Sequence, residues 1–156
     1  MPEALAASIL TKGAVLAFDF GEKRVGVAVG DWEMGIAHPL LTINEEGNDA
    51  RFNIIAQLIT EWRPVQLVVG LPAHMDGTEH ELSRLCRRFA RRLQGRFNLP
   101  TVLMDERLSS DHASLSLNEI GIRGRAQKEM LDQVAAQHIL QSHFDTQRAE
   151  THHHAT

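Results

Sequence analysis

The sequence predicts an α/β protein with a mixed five-stranded sheet covered by helices on both faces. Two observations predict this fold class. Three short apolar segments follow one another directly at the start of the chain, within residues 14–43, with only turn-length connections between them. Later apolar segments alternate with segments of helical periodicity instead. The first arrangement is typical of antiparallel strands and the second of parallel α/β units, so the sheet is expected to contain both.

The first three strands are predicted from composition and turn residues. Residues 14–20 and 24–30 are rich in β-branched and apolar side chains, and Gly21-Glu22-Lys23 between them suits a hairpin turn. Residues 36–43 form the third strand. Pro39 lies within it and cannot donate a ladder hydrogen bond, so this strand is expected at an edge of the sheet.

The remaining elements follow from helix starts and stops. The chain changes from helix to strand where breakers such as Arg63-Pro64 and Gly95 to Pro100 occur. A capping box at Thr78–Glu81 begins the second helix. The predicted elements are a helix from Asn48 or Asp49 to Pro64, a strand over 65–72, a helix ending near Gly95, a strand over 101–104, a short helix from Ser109 or Ser110 to Leu117, and a helix over 127–144.

Length and composition indicate one soluble domain over residues 1–156, with a core over about 14–145 and a disordered tail over 146–156. Cys86 is the only cysteine, which excludes an internal disulfide and favours a reducing, cytoplasmic setting. No apolar run is long enough to predict a membrane span. The formal net charge of −4 argues against a uniformly basic nucleic-acid binder.

Three acids occupy positions where a carboxylate is unusual. Asp19 lies in the middle of a predicted strand, Glu106 directly follows the fifth strand, and Asp132 lies on the final helix. A solvated charge or a helix cap explains most such acids taken singly, although strands are depleted in Asp. At helical spacing, Asp132 shares one side with Lys128, Ala135, Ala136 and Ile139, and the small residues predict a close approach to the sheet.

An ionised Asp132 in such a place needs a partner, because burying an unpaired charge costs several kcal/mol. Lys128 is one candidate and a divalent cation is another. If the three acids meet, an oxygen-only cluster without His or Cys favours Mg²⁺ or Mn²⁺.

Four segments carry a family resemblance. LAFDFGEKRVGVAVGD, VVGLPAHMDGTE, MDERLSS and LDQVAAQHILQSHFD occur in this order and together resemble the YqgF/RuvX family over about residues 14–145. The resemblance implies a ribonuclease H-like fold and a nuclease that processes the 5′ end of pre-16S ribosomal RNA or resolves Holliday junctions. It also implies that the catalytic, metal-binding triad is Asp19, Glu106 and Asp132.

Basic and hydroxyl groups close to these acids in sequence are the expected substrate contacts. They could hold phosphates through charge or through a helix N-terminus, although capping is the alternative role of the two serines. This set comprises Lys23, Arg24, Arg107, Ser109, Ser110 and Lys128. Of the histidines, His138 is expected in the core and His143 at the surface. The triplet His152–His154 could bind metal adventitiously.

A second basic feature is the helix that contains Arg84, Arg87, Arg88, Arg91, Arg92 and Arg96. The first five of these arginines are expected on the side away from Phe89 and Leu93, where they could neutralise phosphates or form an ordinary solvated surface. Aromatic residues are only 5% of the chain and Tyr is absent, so recognition by backbone shape is favoured over base stacking.

The leading hypothesis is therefore a Mg²⁺- or Mn²⁺-dependent phosphodiesterase acting on pre-rRNA or branched DNA, as a monomer or homodimer. Two alternatives remain at this point. One is a non-catalytic module that binds ribosomal RNA or a protein through the arginines. The other is a phosphotransferase, because the FDFG turn resembles the phosphate loop of sugar kinases and actin, but those proteins need two such domains around the nucleotide.

Overall fold

A computed structural model describes residues 12–72, 81–105 and 124–155. Within these ranges the chain forms a five-stranded sheet and three helices. The elements are β1 (Ala14–Phe20), β2 (Val25–Asp31), β3 (Ile36–Ile43), α1 (Asn48–Trp62), β4 (Gln66–Leu71), α2 (Glu81–Phe97), β5 (Thr101–Asp105) and α3 (Gly124–Ala155). None of the helices in these ranges combines the length and the apolar character needed to cross a bilayer.

The sheet has the strand order β3-β2-β1-β4-β5. β1 pairs with β2 and β2 with β3 in antiparallel fashion, whereas β4 runs parallel to both β1 and β5. The predicted mixed sheet is therefore confirmed. β3 is an edge strand, as Pro39 indicated, and the register of β2 against β3 shifts between Val27 and Ala28.

Two apolar clusters lie on opposite faces of the sheet. On one face, α1 and α2 contribute residues such as Ile55 and Phe89, which pack against Phe18 of β1. On the other face, α3 contributes residues such as Ile139 and Phe144, which pack with Ala17 of β1. Helices thus cover both faces, and each strand of the hairpin alternates its side chains between the two clusters.

The ends of two helices differ from the prediction. α2 does not break at Gly95. It continues to Phe97, and Asn98 follows with a positive φ of 56° and donates its backbone N–H to the carbonyl of Gln94 at 2.9 Å. A left-handed residue that closes the last turn is a common helix end, and Gly95 inside the helix costs only about 1 kcal/mol relative to Ala.

α3 is longer than the predicted 127–144 at both ends, and it includes most of the segment 146–156 that we expected to be disordered. After Gly124 the segment contains no further Gly or Pro, so no residue type in it terminates a helix. The capping box at Thr78 and the short helix over 109–117 lie outside the described residues.

Candidate active site

Asp19 lies on the face of the sheet that α3 covers. Val15 and Ala17, which precede it at two-residue intervals on β1, belong to the cluster packed against α3. Phe18 and Phe20 point to the opposite face, where both rings contact Phe89. Because strand side chains alternate between the two faces, the aromatic rings pack in the core under α1 and α2, and the half-buried Asp19 lies beneath α3.

Gly26 is the β2 residue paired with Asp19, and it brings α3 down onto the sheet. A Cβ atom built on Gly26 would lie 2.0 Å from the carbonyl oxygen of Asp132 and 2.8 Å from its Cβ. No side chain fits in that space, so the backbone of α3 at Asp132 rests directly on Gly26. Because paired residues share a face of an antiparallel ladder, Asp19 and Asp132 are neighbours across Gly26.

Asp132 forms an ion pair with Arg24, the residue before β2. Nε of Arg24 donates to Oδ2 of Asp132 at 2.7 Å, and the two side chains are 29% and 22% exposed. Burial is the main cause that raises the pKa of Asp132 above its ordinary value, and Glu129 nearby adds to the rise. The hydrogen bond and the charge of Arg24 oppose it only in part. The ionised carboxylate is thus only partly compensated by Arg24, its ion-pair partner among the described residues.

Hydrogen bonds from β3 fix the turn of α3 that carries Asp132. The hydroxyl of Thr42 donates to the carbonyl oxygen of Glu129 at 2.7 Å, and Nε2 of Gln133 donates to the same hydroxyl at 3.2 Å. Asn44, just after β3, donates to the Glu129 carboxylate at 2.9 Å. These bonds fix the rotation of α3 about its own axis and therefore the direction in which the Asp132 side chain points.

Arg51 supports the β1–β2 turn beside the two acids, and no pattern in the sequence indicated this role. Its side chain is buried, with 3% exposed, and burial lowers its pKa. It donates to the backbone carbonyls of Glu45 and Glu22, the latter at 2.6 Å, and its guanidinium lies 5.4 Å from the centre of the Phe20 ring. The turn that carries Lys23 is therefore anchored from α1.

The structure places some predicted site residues and not others. Asp19, Asp132, Lys23 and Arg24 lie around the end of the β1–β2 hairpin, with Lys23 exposed. Lys128 is also exposed, and Arg24 takes the ion-pair position for which Lys128 was a candidate. Glu106, Arg107, Ser109 and Ser110 lie outside the described residues. Within the described residues no three metal-binding side chains are grouped, and the predicted triad includes Glu106.

His143 corrects a prediction. It was expected at the surface but is buried, and its Nε2 lies 3.0 Å from Oε1 of Gln66. Its ring also packs against Trp32. A polar partner on β4 explains how an imidazole is accommodated there, and that partner was not predictable from local helical spacing. His138, expected in the core, is half-buried.

The arginines of α2 lie on the other side of the sheet from the two acids. α2 packs on the face that carries Phe18, whereas Asp132 is on α3. Five of the six arginines are exposed and Arg92 is half-buried. Arg84 pairs with Glu81, and Arg96 lies over the ring of Phe52 at 4.7 Å. The arginine face of α2 is therefore separate from Asp19 and Asp132.

The strand order and the helices on both faces of the sheet define a ribonuclease H-like α/β fold. The structure is similar to RuvC of Thermus thermophilus, with a TM-score of 0.52 at 14% identity over 87% of this chain and 96% of that one. RuvC in complex with a Holliday junction gives a TM-score of 0.54, also at 14% identity, over 88% of this chain and 96% of that chain.

Within that class, the chain belongs to the RuvX family, whose model is described as Holliday junction resolvase and matches residues 13–146. A relative from Methylobacillus flagellatus is 64% identical over 93% of this chain and 97% of its own length. One from Nitrosomonas eutropha is 57% identical over 92% and 91%. Both are named as candidate pre-16S rRNA nucleases. The family and these relatives support a nuclease role for the chain.

Proposed function

We propose that this protein is a divalent-metal-dependent nuclease that hydrolyses phosphodiester bonds during maturation of the 5′ end of pre-16S ribosomal RNA. The observation that carries the proposal is the contact of Asp132 with Gly26, which brings two acids from distant parts of the chain to one place. The catalytic residues are Asp19 and Asp132, together with Glu106, which follows β5 directly in the sequence.

The chemistry of the donors fits a hard cation. Asp19 and Asp132 offer carboxylate oxygens, and burial already disfavours the ionised form of Asp132 in the metal-free protein. A divalent cation would remove that penalty more completely than Arg24, which is itself part-exposed. Oxygen ligands of this kind select Mg²⁺ or Mn²⁺, and Asp19, Glu106 and Asp132 would hold the metal.

A pair of such ions, when bound, supplies an activated water and stabilises the leaving oxygen of a phosphodiester, which gives 5′-phosphate and 3′-hydroxyl ends. The protein groups position the substrate. Lys23 and Arg24 at the hairpin end, with Arg107 and Lys128, neutralise backbone phosphates, and Ser109 and Ser110 donate hydrogen bonds to them. Arg51 keeps the hairpin turn in place from the interior.

Ribosomal RNA is favoured over branched DNA because two relatives, 64% and 57% identical to this chain, are named as rRNA nucleases. The similarity covers nearly the whole length of both relatives. The second candidate is a Holliday junction resolvase, which the description of the family model favours. A resolvase cuts two strands symmetrically, so it would act as a two-fold homodimer, whereas 5′-end processing needs only a monomer. An enzyme of rRNA maturation would work in the bacterial cytoplasm.

Cleavage of two labelled substrates tests the proposal. A pre-16S 5′ fragment and a four-way DNA junction are incubated with the wild type, Asp19→Asn and Asp132→Asn in Mg²⁺, Mn²⁺ or EDTA. We expect the RNA to be cut only with metal, and each substitution to reduce the rate by at least about a hundredfold. Undiminished cutting by both variants would disprove the metal site, and cutting of the junction alone would establish the resolvase instead.

A further inference from the structure

A groove with a volume of about 600 Å³ lies between α2 and the edge strand β5. Arg87, Arg91, Gln94 and Asn98 line its helix side, and Leu103, which is 37% exposed, lies on its strand side. None of the described residues that line the groove is acidic. The groove therefore presents cationic and amide groups beside one accessible apolar side chain.

The positive charge of the chain is concentrated on α2, and Arg87 and Arg91 of this helix line the groove. α2 carries six arginines and one acid, Glu81, which gives a formal charge of +5. The whole chain carries −4 with 16 basic and 20 acidic residues, so the 10 basic and 19 acidic residues outside α2 carry −9. An acidic protein with one strongly basic helix attracts a polyanion to that helix and repels it elsewhere.

We propose that the groove between α2 and β5 binds the sugar-phosphate backbone of an RNA strand at a second site, separate from the cleavage site. The choice of RNA as the occupant rests on the proposed function. Arg87 and Arg91 are one turn apart on α2, a rise of about 6 Å, so their guanidinium groups can contact successive phosphates. Gln94 accepts a hydrogen bond from the backbone N–H of Thr101 at 3.2 Å, which ties the helix to the strand at the groove floor.

The position of the groove defines what it can do for catalysis. It lies beside the first residues of β5, on the face of the sheet opposite Asp132. Asp19 lies near the far end of β1, which runs in the same direction as β4 and β5. An RNA must therefore be long enough to pass around the molecule to occupy both sites, and the groove selects long precursors over short fragments.

The lining favours nucleic acid over a protein partner. Protein interfaces are centred on buried aromatic and aliphatic anchors, and Leu103 is the single large exposed apolar residue among the described lining residues. The described lining also has no aromatic ring on which a base could stack. Binding is therefore expected to depend on phosphates and salt and to be indifferent to sequence.

Fluorescence anisotropy with a labelled oligouridylate in EDTA tests the second site without cleavage. The double variant Arg87→Gln/Arg91→Gln and its two single variants are compared with Arg148→Gln, which removes one charge, like each single variant, at an exposed position of α3 near the opposite edge of the sheet. We expect the groove variant to bind the oligouridylate at least about tenfold more weakly. The negative slope of log affinity against log salt should become shallower by about 1.4, because two phosphate contacts are lost. The control should bind like the wild type, and Arg87→Lys/Arg91→Lys should retain most of the affinity.

Three results would overturn the inference. The first is an equal loss of oligouridylate affinity in the groove variant and the control. The second is a salt slope of the groove variant that equals that of the wild type. The third is tighter binding of a poly-glutamate peptide than of the oligouridylate. Cleavage assays keep the two proposals distinct. The groove variant should cut a short oligonucleotide at the wild-type rate but lose its preference for the long precursor, whereas Asp19→Asn should bind the oligouridylate normally and cut neither substrate.

Discussion

Gly26 on β2 supports the backbone of Asp132 on α3, and this contact joins the two halves of the candidate active site. The space above Gly26 is closed, since a Cβ there would lie 2.0 Å from the Asp132 carbonyl oxygen and 2.3 Å from its carbonyl carbon. Both nearest atoms belong to the main chain of a helix, so they cannot rotate away as the end of a side chain could. The distance between sheet and helix is set at this residue.

Gly26→Ala should therefore push α3 away from the hairpin. We expect a loss of about 1–3 kcal/mol in the free energy of unfolding and a fall in cleavage rate of about a hundredfold, because Asp132 moves relative to Asp19. Urea denaturation and single-turnover cleavage measure the two effects. Gly95→Ala is the matched control: nothing lies within 4 Å of its Cβ position in α2, so this variant should gain up to about 1 kcal/mol. Similar stability of the two variants would contradict the close contact.

Arg24 forms an ion pair with the Asp132 carboxylate, which we propose as a metal ligand. Arg24→Gln removes a positive charge whose Nε lies 2.7 Å from Oδ2 of Asp132. Calorimetric titration should therefore show tighter Mn²⁺ binding to this variant, since a cation no longer competes with the guanidinium. Lys23→Gln, which removes an equal charge at an exposed position on the same turn, should change Mn²⁺ affinity less. Weaker Mn²⁺ binding to Arg24→Gln would show that Arg24 supports the site instead of competing for it.

The stability of the metal-free protein should depend on the protonation of Asp132. Its pKa is raised in the folded state, so the folded chain holds this proton more tightly than the unfolded chain does. The contribution of Asp132 to stability is greatest below its ordinary pKa, declines as pH rises from there through the raised folded pKa, and is constant above it.

Asp132→Asn removes that dependence. In EDTA, the unfolding free energy of this variant relative to the wild type should increase as pH rises through the same window. Urea denaturation at a series of pH values measures the difference, and Asp145→Asn, an exposed acid on the same helix, serves as the control. A difference that stays constant or decreases with pH would show that the Asp132 pKa is not raised.

Arg51 gives a test of the interior support of the hairpin turn. Arg51→Met keeps the apolar stem but leaves the carbonyl oxygens of Glu45 and Glu22 without their donor. We expect a loss of about 2–4 kcal/mol in the free energy of unfolding. Arg63→Gln, at the exposed end of α1, should change it by less than about 0.5 kcal/mol. Equal effects would mean that the buried guanidinium contributes little.

The strands were predictable because their signals are local. The apolar, β-branched composition of residues 14–20 and 24–30 and the turn residues between them predicted the hairpin. Pro39 predicted the edge strand, and small residues near Asp132 predicted the close approach of α3. Asp19 could be singled out because an acid between Phe18 and Phe20 conflicts with the burial of its neighbours. These features depend on neighbours along the chain or on one helical turn.

Other features depend on partners that are distant in sequence. The burial of His143 requires Gln66, which lies 77 positions earlier, and the role of Arg51 requires a carbonyl 29 positions earlier. The pairing of Asp132 with Arg24 spans 108 positions, and spacing within α3 indicated only Lys128 as a nearby cation. The end of α2 at Asn98 instead of Gly95 reflects a left-handed cap that composition alone does not specify.

The central claim is that Asp19 and Asp132, with Glu106, bind the catalytic cation. Calorimetric titration with Mn²⁺ tests it most directly, using proteins in which His152–His154 are replaced by alanine to remove adventitious binding. The matched set comprises the parent, Asp19→Asn, Glu106→Gln, Asp132→Asn and the control Asp145→Asn. We predict saturable Mn²⁺ binding to the parent and to the control, and at least about a tenfold loss of affinity in each triad variant. Equal Mn²⁺ affinity across the whole set would contradict the metal site.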